Sequence, residues 1–169
     1  MSIDSHVRRG HPIVFGLIIF FAIIELAISA WLTSMYNKHS NYFNLGVRDR
    51  SRFILFSSIW TIVFSIAYMG MFLQSATGSV FTSVASHIIF LFLTWVFWLA
   101  AASSITAALG GGLNCKLDGV VYCGQLNAEE GFAWVLFVLT TFALIAVLIR
   151  GISAARRGDG YRGQLVTTA

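Results

Sequence analysis

Apolar residues gather into four long blocks instead of alternating with polar ones. One charged residue, Glu25, interrupts the stretch from Pro12 to Tyr36; further blocks run from Phe53 to Leu73, from about Val80 to Leu109 and from Phe132 to Ile149. Each holds at least 18 residues, and a helix rising 1.5 Å per residue needs roughly 20 to cross a hydrocarbon core of about 30 Å. Lipid offers no partner to a free backbone N–H or C=O, so a spanning segment is a helix or a strand of a closed barrel. Barrel strands alternate polar and apolar residues, and Ile88-Ile89-Phe90-Leu91-Phe92-Leu93 does not. The pattern predicts an all-α membrane protein with four transmembrane helices at about 12–36, 53–73, 80–109 and 132–150, packed as a left-handed bundle.

The third block exceeds what the core requires, so its portion from Thr82 to His87 is expected to project beyond the membrane, or the helix to tilt. Gln74 to Ser79, small and polar with one Gly, suits a tight turn between antiparallel helices. Outside the blocks remain 1–11, 37–52, 110–131 and 151–169, all shorter than the roughly 40 residues that an independent core needs. The chain thus reads as a membrane domain over 12–150 between a short N-terminus and a basic tail over 151–169. Arg8-Arg9 and Ala27-Ile28-Ser29 imitate a cleaved signal peptide, but the run from Ile13 to Met35 outlasts a 7–15-residue signal core and contains Glu25.

Composition agrees with a lipid environment. The 169 residues are 57% apolar, 15% aromatic and 11% charged, with a mean hydropathy of +0.80; soluble domains carry about 25% charged residues. An ordinary soluble domain, a disordered chain and, with one Pro and two Cys, a collagen or disulfide-dense scaffold are excluded. Charge does not orient the bundle. Arg8, Arg9, Arg150, Arg156, Arg157 and Arg162 fall on the side of the termini, Lys38, Arg48, Arg50, Arg52 and Lys116 on the other, nearly a tie under the positive-inside rule. Cys115 and Cys123 share the 110–131 loop. A disulfide there would stabilise it by about 2.5 kcal/mol and persist only in an oxidising compartment, which favours cytoplasmic termini; two unpaired thiols are the alternative. Zinc would lack a histidine in that loop, and no N-glycosylation sequon is present.

With the spans so drawn, Glu25 is the one ionisable acid or base inside them. A carboxylate near the bilayer centre costs about 2.5–3.5 kcal/mol, so it turns inward and either pairs or takes a proton. Ser29 at i+4, and Ser65, Tyr68, Ser103 and Thr106 on other helices, are its candidate partners. It reads either as a packing residue or as a proton or cation site. In the third helix Trp95 and Trp98 precede small residues at four-residue spacing, Ala100, Ser104 and Ala108. Such a stripe lets another helix approach closely, and with the tryptophans as a wall it could also seat a phospholipid or sterol. Arg50, Phe53 and Leu55 match a loose sterol-contact pattern. Arg48, Arg50 and Arg52 before the second helix, and Arg156 and Arg157 in the tail, suit lipid headgroups; the tail is too short and too close to the membrane for nucleic acid. No metal-ligand spacing, nucleophile elbow or phosphate loop occurs, so neither an enzyme nor a resident cofactor is expected. Gly110-Gly111-Gly112 instead suits the end of the third helix.

The order Arg50-Ser51-Arg52-Phe53-Ile54-Leu55-Phe56-Ser57-Ser58-Ile59-Trp60, Phe97-Trp98-Leu99-Ala100-Ala101-Ala102, Gly110 to Cys115, Tyr122-Cys123 and Phe132-Ala133-Trp134 resembles the fungal branch of the MARVEL-domain membrane proteins over nearly the whole chain. The resemblance implies four spans, cytoplasmic termini, self-assembly and a role in membrane domains or vesicle trafficking at the plasma or secretory membrane, with no catalytic residues to carry over. Claudins and tetraspanins fit poorly, since the 37–52 loop is short and lacks Cys. Small multidrug transporters share a glutamate in the first helix but not the Cys-bearing loop. The expected function is therefore non-enzymatic membrane organisation through homo-oligomers and lipid contacts. A proton-coupled transporter or channel using Glu25 is the alternative, and a lipid or sterol sensor a third reading.

Overall fold

The computed structural model describes residues 3–74, 84–116 and 119–156, and within them the side chains of 12–71, 85–116 and 119–153. They form four helices: α1 (Ile3–His39), α2 (Leu45–Gln74), α3 (Val84–Leu109) and α4 (Cys123–Arg156). All four are long and apolar enough to cross a membrane. The main packing is cyclic, α1 on α2 and α4, and α3 on α2 and α4. Residues 75–79 of the expected turn, the expected helix start near Val80, and Arg157 and Arg162 of the tail lie outside the described residues.

Buried positions recur at alternating intervals of three and four residues. The series runs 15, 18, 22, 25, 29, 32 and 36 on α1; 47, 51, 54, 58, 61 and 65 on α2; 87, 91, 94, 98, 101 and 105 on α3; and 126, 129, 133, 136, 140, 143, 147 and 150 on α4, with Ser57, Phe90, Ala102, Leu109 and Cys123 buried beside it. A mean spacing of 3.5 residues keeps one seam facing its neighbours only if the helices wind about each other left-handedly. Outside this seam the surface is also apolar: Ile13, Phe20, Ile89 and Phe142 are more than half exposed. In water these side chains would be a liability; against acyl chains they match their solvent.

The helices extend past the apolar blocks. At the start of α2, Asn44 Oδ1 accepts the Val47 N–H at 2.8 Å, an N-cap that satisfies one orphan donor. This carries helix through Arg48–Arg52, eight residues ahead of the expected start at Phe53. α4 likewise begins at Cys123, not near Phe132, so Glu129 and Glu130 are helical rather than in a loop. Hydropathy marks where a helix meets lipid; capping and neighbouring helices decide where it begins. α3 ends as its glycines predict: Gly110 is left-handed (φ 75°) and the Gly111 N–H bonds the Thr106 carbonyl at 3.0 Å, a Schellman closure. His87 does not project beyond the bundle. It is fully buried, 6.4 Å from the Phe15 ring and 4.7 Å from that of Tyr68.

Four of the five tryptophans tie neighbouring helices together by giving their indole N–H to a threonine. Between α2 and α3, Trp60 bonds Thr94 at 3.2 Å and Trp98 bonds Thr61 at 3.0 Å. Between α3 and α4, Trp95 bonds Thr141 at 2.9 Å and Trp134 bonds Thr106 at 3.0 Å. Thr61, Thr94 and Thr141 pass their own hydroxyl protons to the carbonyl one turn back, at 2.7, 2.8 and 2.7 Å. Each such hydroxyl therefore accepts across the interface and donates within its helix, so no polar hydrogen is stranded in hydrocarbon.

Candidate functional site: a buried carboxyl pair

Antiparallel α1 and α4 are registered by two ring contacts, Trp31–Tyr122 at 4.9 Å and Phe21–Phe132 at 6.1 Å. Glu25 stands four residues after Phe21 and Glu129 three before Phe132, so the register sets both at one level of the bundle. Both residues have 0% exposure. The sequence reading of Glu25 as a solitary intramembrane acid is thereby corrected: drawing the fourth helix from Phe132 left Glu129 in a loop.

Glu129 Oε2 accepts the Ser51 hydroxyl proton of α2 at 2.9 Å. Glu129 Oε1 and both Glu25 carboxyl oxygens have no hydrogen-bond partner among the described residues, nor has the Tyr36 hydroxyl. Tyr36 is 2% exposed, and its ring lies 6.1 Å from that of Tyr122. The neighbours expected for Glu25 go elsewhere. Ser29 donates to the Glu25 main-chain carbonyl at 2.8 Å and to that of Leu26 at 3.3 Å, not to the carboxyl. Tyr68 meets Ser86 and His87 on α3, Ser103 bonds Leu99 of its own helix, and Thr106 donates to Glu130 at 2.7 Å. Ser65 is buried with its hydroxyl unpartnered.

The small-residue stripe lies on a different face from the core. Trp98, Ala101, Ala102 and Ile105 of α3 are fully buried, while Ala100 is exposed and Ser104 and Ala108 partly so. Trp98 is thus a core residue rather than a wall beside that stripe, and Trp95 is held by Thr141. Among the arginines, Arg48 pairs with Asp49 at 3.0 Å and lies 5.2 Å over the Tyr42 ring. Arg52 bonds Asn37 at 2.8 Å, and the Arg50 guanidinium packs over Gly46. Arg156 closes α4. Cys115 and Cys123 are joined in a disulfide, and Asn127 grips the Leu113 backbone from both sides, accepting its N–H at 2.9 Å and donating to its carbonyl at 2.8 Å. Among the described residues no cluster of three or more His, Cys, Asp or Glu could hold a metal ion.

A family model for MARVEL, described as a membrane-associating domain, matches residues 6–148. The chain belongs to the MARVEL family. It is an integral, multi-pass member, with all four helices able to span. No curated protein and no solved structure matches it. The match reaches from the N-terminal turns of α1 to the last turns of α4, so the carboxyl pair, the Trp–Thr ties and the disulfide all belong to the MARVEL domain itself. Membrane association is the property that the family's description gives.

Proposed function

We propose that this MARVEL protein organises membrane laterally, by self-association and by holding lipid against its outer surface, without catalysing a reaction. The observation that carries this reading is the outward face of α3. Ala100, Ser103 and Ala107 are exposed, and Ser104 and Ala108 partly so, which leaves a strip of small side chains that the chain's own bundle does not use. In hydrocarbon no hydrophobic effect drives helices together, and close backbone approach is what makes their contact favourable. The disulfide in the 110–122 connection supports an oxidising compartment on that side, hence cytoplasmic termini in a plasma or secretory membrane.

Native mass spectrometry of the full chain in lipid nanodiscs tests the reading. Oligomers that Ala100→Leu with Ala107→Leu converts to monomers would support it; a monomeric wild type would refute it. A second reading, sterol contact, is favoured by the aromatic surface where Phe53, Phe56, Trp60 and Phe97 meet at ring separations of 5.5 to 6.5 Å. A photoreactive sterol should label this surface if it is the contact, and labelling elsewhere would dispose of it.

A further inference from the structure

Of the three arginines at the start of α2, two have partners. Arg48 pairs with Asp49 and lies over the Tyr42 ring, and Arg52 bonds Asn37 and faces Asp49. Arg50 makes no hydrogen bond or ion pair with a described residue. Its guanidinium is partly buried over Gly46, one turn back, where any Cβ would collide with it. Long side chains on a helix lean toward its N-terminus, so Arg50 reaches away from the apolar block that starts at Phe53 and carries its charge to headgroup level. Gly46, Arg50, Phe53 and Trp60 stand four, three and seven residues apart, which puts them on one stripe of α2. That stripe borders α3, where Phe97 lies 6.2 Å from the Phe53 ring, 5.9 Å from Phe56 and 5.5 Å from Trp60. Phe56 is 50% exposed, and Phe53, Trp60 and Phe97 are partly so. An aromatic surface open to lipid therefore runs inward from a cation that has no counter-ion. From Arg50 to Trp60 is ten residues, about 15 Å of helix, which is half of a hydrocarbon core of about 30 Å and so the depth of one leaflet's acyl chains.

We propose that the α2–α3 surface holds one phospholipid of the leaflet nearest the start of α2, with its phosphate on the Arg50 guanidinium and an acyl chain along Phe53, Phe56, Trp60 and Phe97. Chain contact alone selects nothing, because a lipid that leaves other lipids gains no hydrophobic energy; the charge supplies the preference. A guanidinium offers two parallel N–H donors to phosphate oxygens, and charge on both partners makes these bonds strong. A sterol, the second reading of the same aromatic surface, brings one neutral hydroxyl and leaves the cation unmet. Diacylglycerol brings the chains without the anion. Gly46 gives the guanidinium its room and belongs to the site for that reason. This site rests on the lipid-holding half of the proposed function and not on self-association, because every residue in it lies within one chain.

Native mass spectrometry of the full chain in mild detergent is the test, with dioleoylphosphatidylglycerol, dioleoylglycerol, cholesterol and inorganic phosphate titrated in turn. The wild type should keep one phosphatidylglycerol per chain in preference to the other three. Arg50→Gln should weaken that binding about tenfold, and Arg50→Lys, which keeps the charge and loses the fork, by less. Gly46→Ala should also weaken it by displacing the guanidinium, while α2 stays folded because Ala favours helix over Gly. Arg52→Gln removes the same charge from a side chain already bonded to Asn37 and should change the affinity less than about threefold. A phosphatidylglycerol with a photoreactive acyl chain should label α2 between Phe53 and Trp60, or α3 beside Phe97. Equal weakening by Arg50→Gln and Arg52→Gln would mean diffuse attraction and overturn the site. So would dioleoylglycerol, cholesterol or inorganic phosphate binding as tightly as phosphatidylglycerol, or label confined to other helices. The same spectra report oligomers: monomers that retain the lipid would sink self-association alone, and oligomers indifferent to Arg50→Gln and Gly46→Ala in their lipid content would sink this site alone.

Discussion

Replacing Thr61 by Val removes one hydroxyl and almost no volume, yet the structure expects it to strand a polar hydrogen. Thr61 and Trp98 are both 0% exposed, and Thr61 Oγ1 accepts the Trp98 indole N–H at 3.0 Å. Without that oxygen the N–H faces hydrocarbon, at a cost of roughly 1–3 kcal/mol for an unmet buried donor. Interhelical hydrogen bonds measured in membranes average about 0.6 and reach about 1.7 kcal/mol. We therefore expect Thr61→Val to cost about 1.5 kcal/mol, roughly a tenfold change in the unfolding equilibrium. Trp98→Phe leaves no such orphan, because Thr61 still donates to the Ser57 carbonyl at 2.7 Å; its cost, about 2 kcal/mol, is lost ring volume. The double variant should then be about 1 kcal/mol more stable than the summed single losses imply. Reversible unfolding in mixed dodecyl maltoside and dodecyl sulfate micelles, followed by far-ultraviolet circular dichroism, measures all four proteins. A coupling under about 0.3 kcal/mol between Thr61 and Trp98 would refute the claim that the Trp–Thr ties hold the interface.

On α3, Ala101→Leu should destabilise by about 1–3 kcal/mol through overpacking, whereas Ala100→Leu, one residue away but exposed, should leave monomer unfolding within about 0.5 kcal/mol of wild type; the same micelle titration decides. Removing the disulfide with Cys115→Ser and Cys123→Ser should cost about 2.5 kcal/mol on the chain-entropy estimate for its short ring, read as the loss in wild-type stability that reductant alone reproduces. Asn44→Ala should cost about 1 kcal/mol by uncapping α2, visible in the same titration and as faster amide hydrogen exchange over Val47 and Arg48. Lys116→Cys should react with a membrane-impermeant maleimide on intact cells or, in a secretory membrane, only once that membrane is itself breached; labelling that appears when the plasma membrane alone is selectively permeabilised would reverse the proposed orientation.

Four spans were legible because hydropathy is a long-range average, and a block such as Phe132 to Ile149 leaves few other structures open. The helix ends and the carboxyl pair were not, for one physical reason. In a water-soluble bundle the seam shows itself as apolar residues against a polar surround, but here the lipid-facing side is as apolar as the interior. Hydrophobic periodicity therefore carries almost no information about which side is which. The polar residues carry it instead. Glu25 and Ser29, Ser51, Ser58 and Ser65, His87 and Thr94, and Glu129, Thr140 and Arg150 all occupy the three-and-four seam, and among the described buried polar residues Ser57 alone departs from it. The sevenfold steps from Ser51 to Ser58 to Ser65, and from His87 to Thr94, were readable in the chain as written. Extended back from Thr140 through Leu136 and Ala133, the same count reaches Glu129, three residues before the apolar block begins at Phe132. The seam is polar because only the interior of the bundle can satisfy a hydroxyl or a carboxyl, and lipid cannot. Reading membrane helices by the period of their polar positions would thus have placed Glu129 beside Glu25 and separated Ala101 from Ala100, the two points on which composition and small-residue spacing alone pointed elsewhere.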